Sequence, residues 1–209
     1  MNLTLWLSFI GTVLIIAFTS GSSVLLATAN SMNHGVKKTI GTILGDLSAN
    51  TLQIILSSLG LATIIVTSGE IFYSIKWIGV AYLLYMGITK MFYQSKAEKF
   101  TKEKNEKTFI NLYGEGFMMS ASNPKPIVFF AALFPLFIDQ NLPFVPQVFV
   151  LGVTYLVIDG ISLIIYVHFA SRLKNYLEDK EKIQLQNKII GVLLIFSGIL
   201  LSMVRRTSN

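Results

Sequence analysis

Asp46 and Asp159 each stand inside a long apolar stretch of the chain, and Lys125 stands in a third, flanked by two prolines. A charge at the centre of a bilayer costs about 2.5 to 3.5 kcal/mol on insertion scales, so such side chains face a bundle interior or an aqueous cavity. Carboxyl groups placed there can take up and release protons; they can also be held protonated, or paired to tie helices together. The segment Asn123-Pro124-Lys125-Pro126 adds a break. Two prolines one residue apart withdraw two backbone donors and disfavour helical geometry just before them, so the helix is expected to unwind across this segment. Unwound backbone at membrane depth must be buried in protein or line a cavity. Its freed carbonyls and a new helix end at Pro126 can then bind a zwitterion or an ion. Lys125 supplies a cation for an anionic group, or for Asp46 or Asp159; the alternative is a plain proline kink with Lys125 reaching to the interface. A softer break, Thr19-Ser20-Gly21-Ser22-Ser23, offers hydroxyls that serve either a ligand or an interhelical hydrogen bond. The candidate substrate-binding residues are therefore Ser20, Gly21, Ser22, Asn123, Pro124 and Lys125, and the candidate proton-coupling residues are Asp46 and Asp159.

The elements that must position them follow from composition. The 209 residues are 53% hydrophobic and only 13% charged, against about 25% charged in a soluble domain, and the mean hydropathy is +0.62. That excludes disorder and a soluble enzyme, and with no Cys it excludes thiol chemistry, thiolate metal ligation and a disulfide framework. A span needs about 20 apolar residues. Six segments qualify: 3–29, 39–67, 71–92, 109–138, 143–171 and 188–204. The expected fold is an all-α membrane protein, one six-helix domain over 1–209, with a first half at 1–93, a cytoplasmic loop at 94–108 and a second half at 109–209. Ala27-Thr28-Ala29 looks like a signal-peptide cleavage site, but the apolar stretch before it is too long and has no basic start.

Lys and Arg gather in the first, third and fifth connectors, around Lys37 and Lys38, Lys90 and 96–107, and Arg172 to 188, whereas the opposite side holds Lys76, Arg205 and Arg206. Such an excess marks the cytoplasmic side, which puts both termini outside a multi-pass cell-membrane protein. The net charge of +6 is thereby accounted for without nucleic acid. Three spans per half give the halves opposite orientations, as in inverted-repeat transporters, and the features recur in order: broken first and fourth spans, then spans carrying Asp46 and Asp159.

Gly41 and Gly45 form a small-xxx-small pattern that lets a neighbouring helix approach closely beside Asp46. Asn50 and Gln53 follow Asp46 by four and seven residues, giving one inward polar stripe. His34 in an expected loop at 30–38, and His168 near a span end, are solvated histidines on this view, and Glu70 and Lys76 are interfacial anchors. Trp6, Trp77, Tyr82, Tyr85 and Tyr93 fit an aromatic belt. Glycine faces at Gly79 and Gly87, or Gly191 and Gly198, could support a homodimer.

Taken together, the Thr19 to Ser23 break, the run from Asn33-His34-Gly35 through Gly41-xxx-Gly45-Asp46, and Gly116-Phe117 leading to Asn123-Pro124-Lys125 with Phe129-Phe130 and Phe134-Pro135 resemble the lysine exporter and homoserine/threonine efflux (LysE/RhtB) family. The likeness covers roughly residues 1 to 140, and Asn-Pro-Lys is its most specific motif. Members of the family have Pro-Gly-Pro in the first span where this chain has Ser20-Gly21-Ser22, so a flexible, hydroxyl-rich break replaces a rigid one. The resemblance implies a secondary transporter, not an enzyme and with no cofactor, that exports amino acids or related small metabolites, driven by protons. Three other functions are weighed against it. A divalent-cation exporter has only two buried carboxylates and no Cys to offer. An intramembrane aspartyl protease would use Asp46 and Asp159 as a dyad, yet Leu44-Gly45-Asp46 lacks the first glycine expected there. A non-transporting membrane protein would account for the missing prolines.

Overall fold

The computed structural model describes residues 3–18, 21–67, 69–92, 106–130, 134–139, 141–170, 172 and 179–203. No strand occurs among them. The helices are α1 (Leu3–Ala17), α2 (Ser22–His34), α3 (Val36–Thr67), α4 (Gly69–Phe92), α5 (Phe109–Ala121), α6 (Pro124–Val128), α7 (Phe144–His168) and α8 (Lys180–Met203), with a 3-10 turn at Phe134–Phe137. Ser20, Tyr93, Arg205, Arg206 and the lysines from Lys96 to Lys104 lie outside the described residues, as do the side chains of Glu70 and Lys76.

The helices are apolar on the outside as well as the inside. Along α7, Val145, Phe149, Val153, Val157, Ile161 and Ile164 recur every three or four residues and are exposed, while Leu151, Tyr155, Leu163 and Tyr166 on the other faces are buried. A soluble protein does not leave such a stripe uncovered, but a helix against lipid does. α7 is long and apolar enough to cross a membrane alone, and α1 with α2 is so as a pair inclined at 55°.

The end of α1 is anchored from two sides. Tyr166 Oη of α7 and Gln186 Nε2 of α8 both donate to the Phe18 carbonyl, at 3.1 and 3.2 Å. These donors satisfy an orphan carbonyl at the end of α1, which is what a helix stopping at membrane depth requires. Trp6 donates from Nε1 to Thr154 Oγ1 at 3.1 Å and ties α1 to α7.

Three boundaries differ from the sequence expectation. The expected loop at 30–38 is a single joint: α2 runs to His34 and α3 starts at Val36, with Gly35 between them at φ 80 and ψ 161. That conformation is open essentially to glycine alone. Because a Cβ there would meet nothing within 4 Å, Gly35→Ala isolates the backbone cost. It is expected to destabilise the protein by about 1 to 3 kcal/mol, read as a lower unfolding midpoint in detergent.

The second difference lies in the fourth span. The helix is broken there as expected, but at Ser122 and Asn123 and not across the prolines. α5 stops at Ala121, Ser122 and Asn123 turn the chain, and Asn123 Oδ1 accepts from the Lys125 backbone N–H at 3.0 Å as the N-cap of α6. Pro124 and Pro126 fall in the first turn of α6, where a missing N–H loses no intrahelical bond. The new helix end is therefore at Pro124, not Pro126, and the prolines begin a helix as much as they end one. The last helix also starts early, at Lys180 instead of 188, because the Asp179 carboxylate accepts from the backbone N–H of Glu181 and Lys182 at 3.0 and 3.3 Å. The Lys182 side chain, 3.0 Å from Asp179, holds that carboxyl below its ordinary range.

Packing is by helix pairs. α3 lies along α5, α4 along α8, and α7 against α1, α2 and α3. A Cβ on Gly87 would sit 2.7 Å from the Gly191 carbonyl, and one on Gly191 would sit 2.6 Å from the Gly87 carbonyl. These glycines, considered above for a homodimer, are occupied within the chain by the α4 to α8 contact. An aromatic cluster closes the centre: Phe9 meets Phe134 and Phe137 edge-on at 5.9 and 5.1 Å, and Tyr155 stacks on Phe129 at 5.4 Å.

Candidate functional site

α3 carries Thr42, Asp46, Asn50, Gln53 and Ser57 on one face, as the spacing of three to four residues dictates, and it turns that face inward: Asp46 is 3% and Asn50 2% exposed. The Asn50 amide joins the two carboxylates. Its Nδ2 donates to Asp46 Oδ2 at 2.9 Å and to Asp159 Oδ2 of α7 at 3.0 Å, while its Oδ1 accepts from Ser120 Oγ of α5 at 3.0 Å. The amide thus uses both N–H groups and its carbonyl. Ser23, near the start of α2, lies beside the Asp46 carboxyl, and Lys125 of α6 is within electrostatic reach of both aspartates. Tyr155 is buried against Phe129 and Phe130, with both carboxylates close by.

Five helices therefore meet at one polar point. The sequence-derived set is largely drawn together: Asp46, Asp159 and Lys125 converge, Asn123 caps the turn that carries Lys125, and Pro124 opens that turn. Gly21 is the extended N-cap residue of α2 and Ser22 is its first residue, but the hydroxyl that reaches the carboxylate belongs to Ser23. Ser20 lies outside the described residues. Asn50 was legible as part of a stripe on α3, whereas Ser120 and Tyr155 carried no signal, being a serine and an aromatic among many.

The seam continues on both sides. Deeper along α3, Gln53 Nε2 donates to the Ser120 carbonyl at 3.1 Å and Ser57 Oγ to the Phe130 carbonyl at 2.6 Å. The first donor satisfies a carbonyl in the last turn of α5, beside the break, and the second a carbonyl just past the end of α6, so both ends of the short α6 segment are tied to α3. Toward the α2 to α3 joint, Asn30 Nδ2 donates to Thr42 Oγ1 at 3.0 Å and reaches Glu115 Oε2 at 3.4 Å; Glu115 also pairs with Lys107 at 2.7 Å. His34 and His168 stand apart, at the ends of α2 and α7. Among the described residues no three His, Asp or Glu side chains gather to hold a metal ion.

Among the described residues, an all-helical body with an apolar exterior and a buried polar seam is the architecture of a helical membrane protein. The chain belongs to the LysE type translocator family, a family of transporters, whose model matches residues 14–204. It is 31% identical over 203 residues to an uncharacterized membrane protein of Vibrio cholerae, covering 97% of this chain and 98% of that one. It is 29% identical to the homoserine/homoserine lactone efflux protein of Salmonella typhimurium and 30% identical to that of Salmonella typhi, each over 205 residues, 98% of this chain and 99% of the relative. No solved structure matches.

Proposed function

We propose that the chain exports an amino acid or a closely related small metabolite from the cytoplasm across the cell membrane in exchange for protons. The observation that carries this reading is the Asn50 amide shared by Asp46 and Asp159 with Lys125 in reach. Two carboxylates against the one ammonium that acts on both leave one negative charge uncompensated at the junction, Lys90 of α4 being in electrostatic reach of Lys125, and a net charge there is costly. A proton on either carboxyl balances it, and so does the ammonium group of a substrate. Occupancy by one excludes the other, and that exclusion is the essence of antiport. Lys125 serves the substrate carboxylate when the aspartates are engaged by the ammonium. The two Salmonella relatives, named for homoserine export, favour a small amino acid.

Six spans in two inverted halves are the architecture that goes with this function. Exchanging the halves maps α1 with α2 onto α5 with α6, α3 onto α7, and α4 onto α8; the pairing of α3 with α5 then corresponds to that of α7 with α1 and α2. Asp46 and Asp159 fall on corresponding helices, and both termini lie outside. Rocking one half against the other about the Asn50 junction would expose the site to each side in turn.

The test is accumulation of labelled homoserine, threonine, alanine and lysine in inside-out vesicles, with and without an acid-inside pH gradient. Gradient-dependent uptake of one of them, lost in Lys125→Ala, is the expected result. Folded protein that moves none of them overturns the proposal.

A further inference from the structure

Gln53 has a feature the antiport scheme does not use. Its Nε2 donates to the Ser120 carbonyl, which fixes the amide: turned over, it would set two acceptor oxygens against each other. The other end, Oε1, is buried and meets no protein donor. Oδ1 of Asp46, a residue only 3% exposed, likewise has no donor in bonding geometry, although the Ser23 and Ser120 hydroxyls and the Asp159 carboxyl stand near that carboxyl group. Side chains seven apart on a helix lie within about 20° of the same face and about 10 Å apart along the axis. Buried acceptors go without a partner rarely, and a pair on one face of a transport site marks where something else brings the donors.

We infer that Asp46 Oδ1 and Gln53 Oε1 receive the two ends of one substrate, the ammonium group at Asp46 and a hydrogen-bond donor of the side chain at Gln53, so that Gln53 selects amino acids whose side chain ends in a hydroxyl, amide or amine. The inference rests on the proposed export function. Its physical basis is asymmetric: an apolar side chain delivered to Gln53 leaves the buried carbonyl unpaired, whereas a hydroxyl satisfies it, and sites built this way discriminate strongly against an isostere lacking the group. Asn50, between the two positions, has its donors and its acceptor committed to Asp46, Asp159 and Ser120, so it does not compete for the substrate's donors.

Homoserine and norvaline differ by a hydroxyl against a methyl at the same position and separate the cases. In vesicles from the full-length chain, the wild type is expected to show a KM for homoserine at least about tenfold below that for norvaline. Gln53→Met, of similar length but without the acceptor, is expected to bring the two values within about threefold, and Gln53→Leu to do the same by a different shape. Equal KM values for the two substrates in the wild type overturn the inference and leave the exporter standing. So does a Gln53→Met protein whose uptake of both falls in proportion with the ratio unchanged, since that is a structural role. A wild type that moves neither substrate, nor any other amino acid, overturns the inference together with the export function beneath it.

Discussion

Asp46→Asn is expected to abolish the dependence of transport on the pH gradient and to weaken substrate binding by about 10- to 100-fold, the equivalent of the roughly 1.5 to 3 kcal/mol of a hydrogen bond to a charged group. The reason is a charge count. With Asn at 46, one carboxylate (Asp159) faces one ammonium (Lys125), and the cluster is neutral without a proton or a substrate cation. Nothing remains for the two to compete over. Asn keeps the size of the side chain and can still accept from Asn50 through its carbonyl, so the fold has no cavity to absorb. Asp159→Asn is expected to uncouple in the same way, because Asn50 gives each carboxylate one N–H. The measurement is homoserine uptake into inside-out vesicles across imposed pH steps: wild-type rates should rise with lumenal acidity, and the two variants should give flat profiles. Undiminished gradient-driven uptake in both variants would remove the aspartates from the coupling mechanism.

The parts of this site differ in how far they could be read from the chain, and the difference is physical. Asp46 and Asp159 stand out because a charge within an apolar span has few reasons to be there, and Asn50 and Gln53 follow from helical periodicity alone. Lys125 stands out through its flanking prolines, but the same prolines suggested an unwound segment, whereas Asn123 caps α6 and turns them into helix starters. Local chemistry decided that case: an Asn ahead of Pro supplies the acceptor that a first helical turn needs. Ser23, Ser120 and Tyr155 could not be found this way, since their roles depend on which helices cross and at what height. Asn30 and Glu115 were missed for that reason too, although Glu115, an acid with a glycine on either side, was a charge in an apolar span like the two that were noticed. The helical class was legible, because the apolar runs are long; the joint at Gly35 was not, as a single residue replaced an expected loop.

What sets the height of the α3 to α5 crossing is glycine, and removing it should have the largest effect on stability. A Cβ on Gly45 would overlap the Tyr113 carbonyl oxygen, and one on Gly116 would overlap the Thr42 carbonyl oxygen, while one on Gly41 would stand 2.7 Å from the Phe109 carbonyl. All three obstacles are backbone, which cannot turn aside as a side chain would. Gly116→Ala is therefore expected to cost about 3 kcal/mol, the upper end of overpacking, despite the better helix propensity of alanine. Gly114→Ala, two residues away in the same helix, is the matched comparison: its Cβ meets nothing within 4 Å, and the gain in propensity of about 0.5 to 1 kcal/mol should leave it neutral or slightly stabilised. Unfolding midpoints of the two proteins in the same detergent decide the matter, and equal midpoints would contradict the close crossing. The consequence reaches the site as well. Ser120 lies one helical turn beyond Gly116, and Asn50 lies just over one turn beyond Gly45, so the 3.0 Å bond between them holds only while the two backbones touch. Gly45→Ala is expected to part that pair, freeing the Asn50 amide that holds the aspartates, so that any protein that still folds should lose gradient-driven uptake along with its stability.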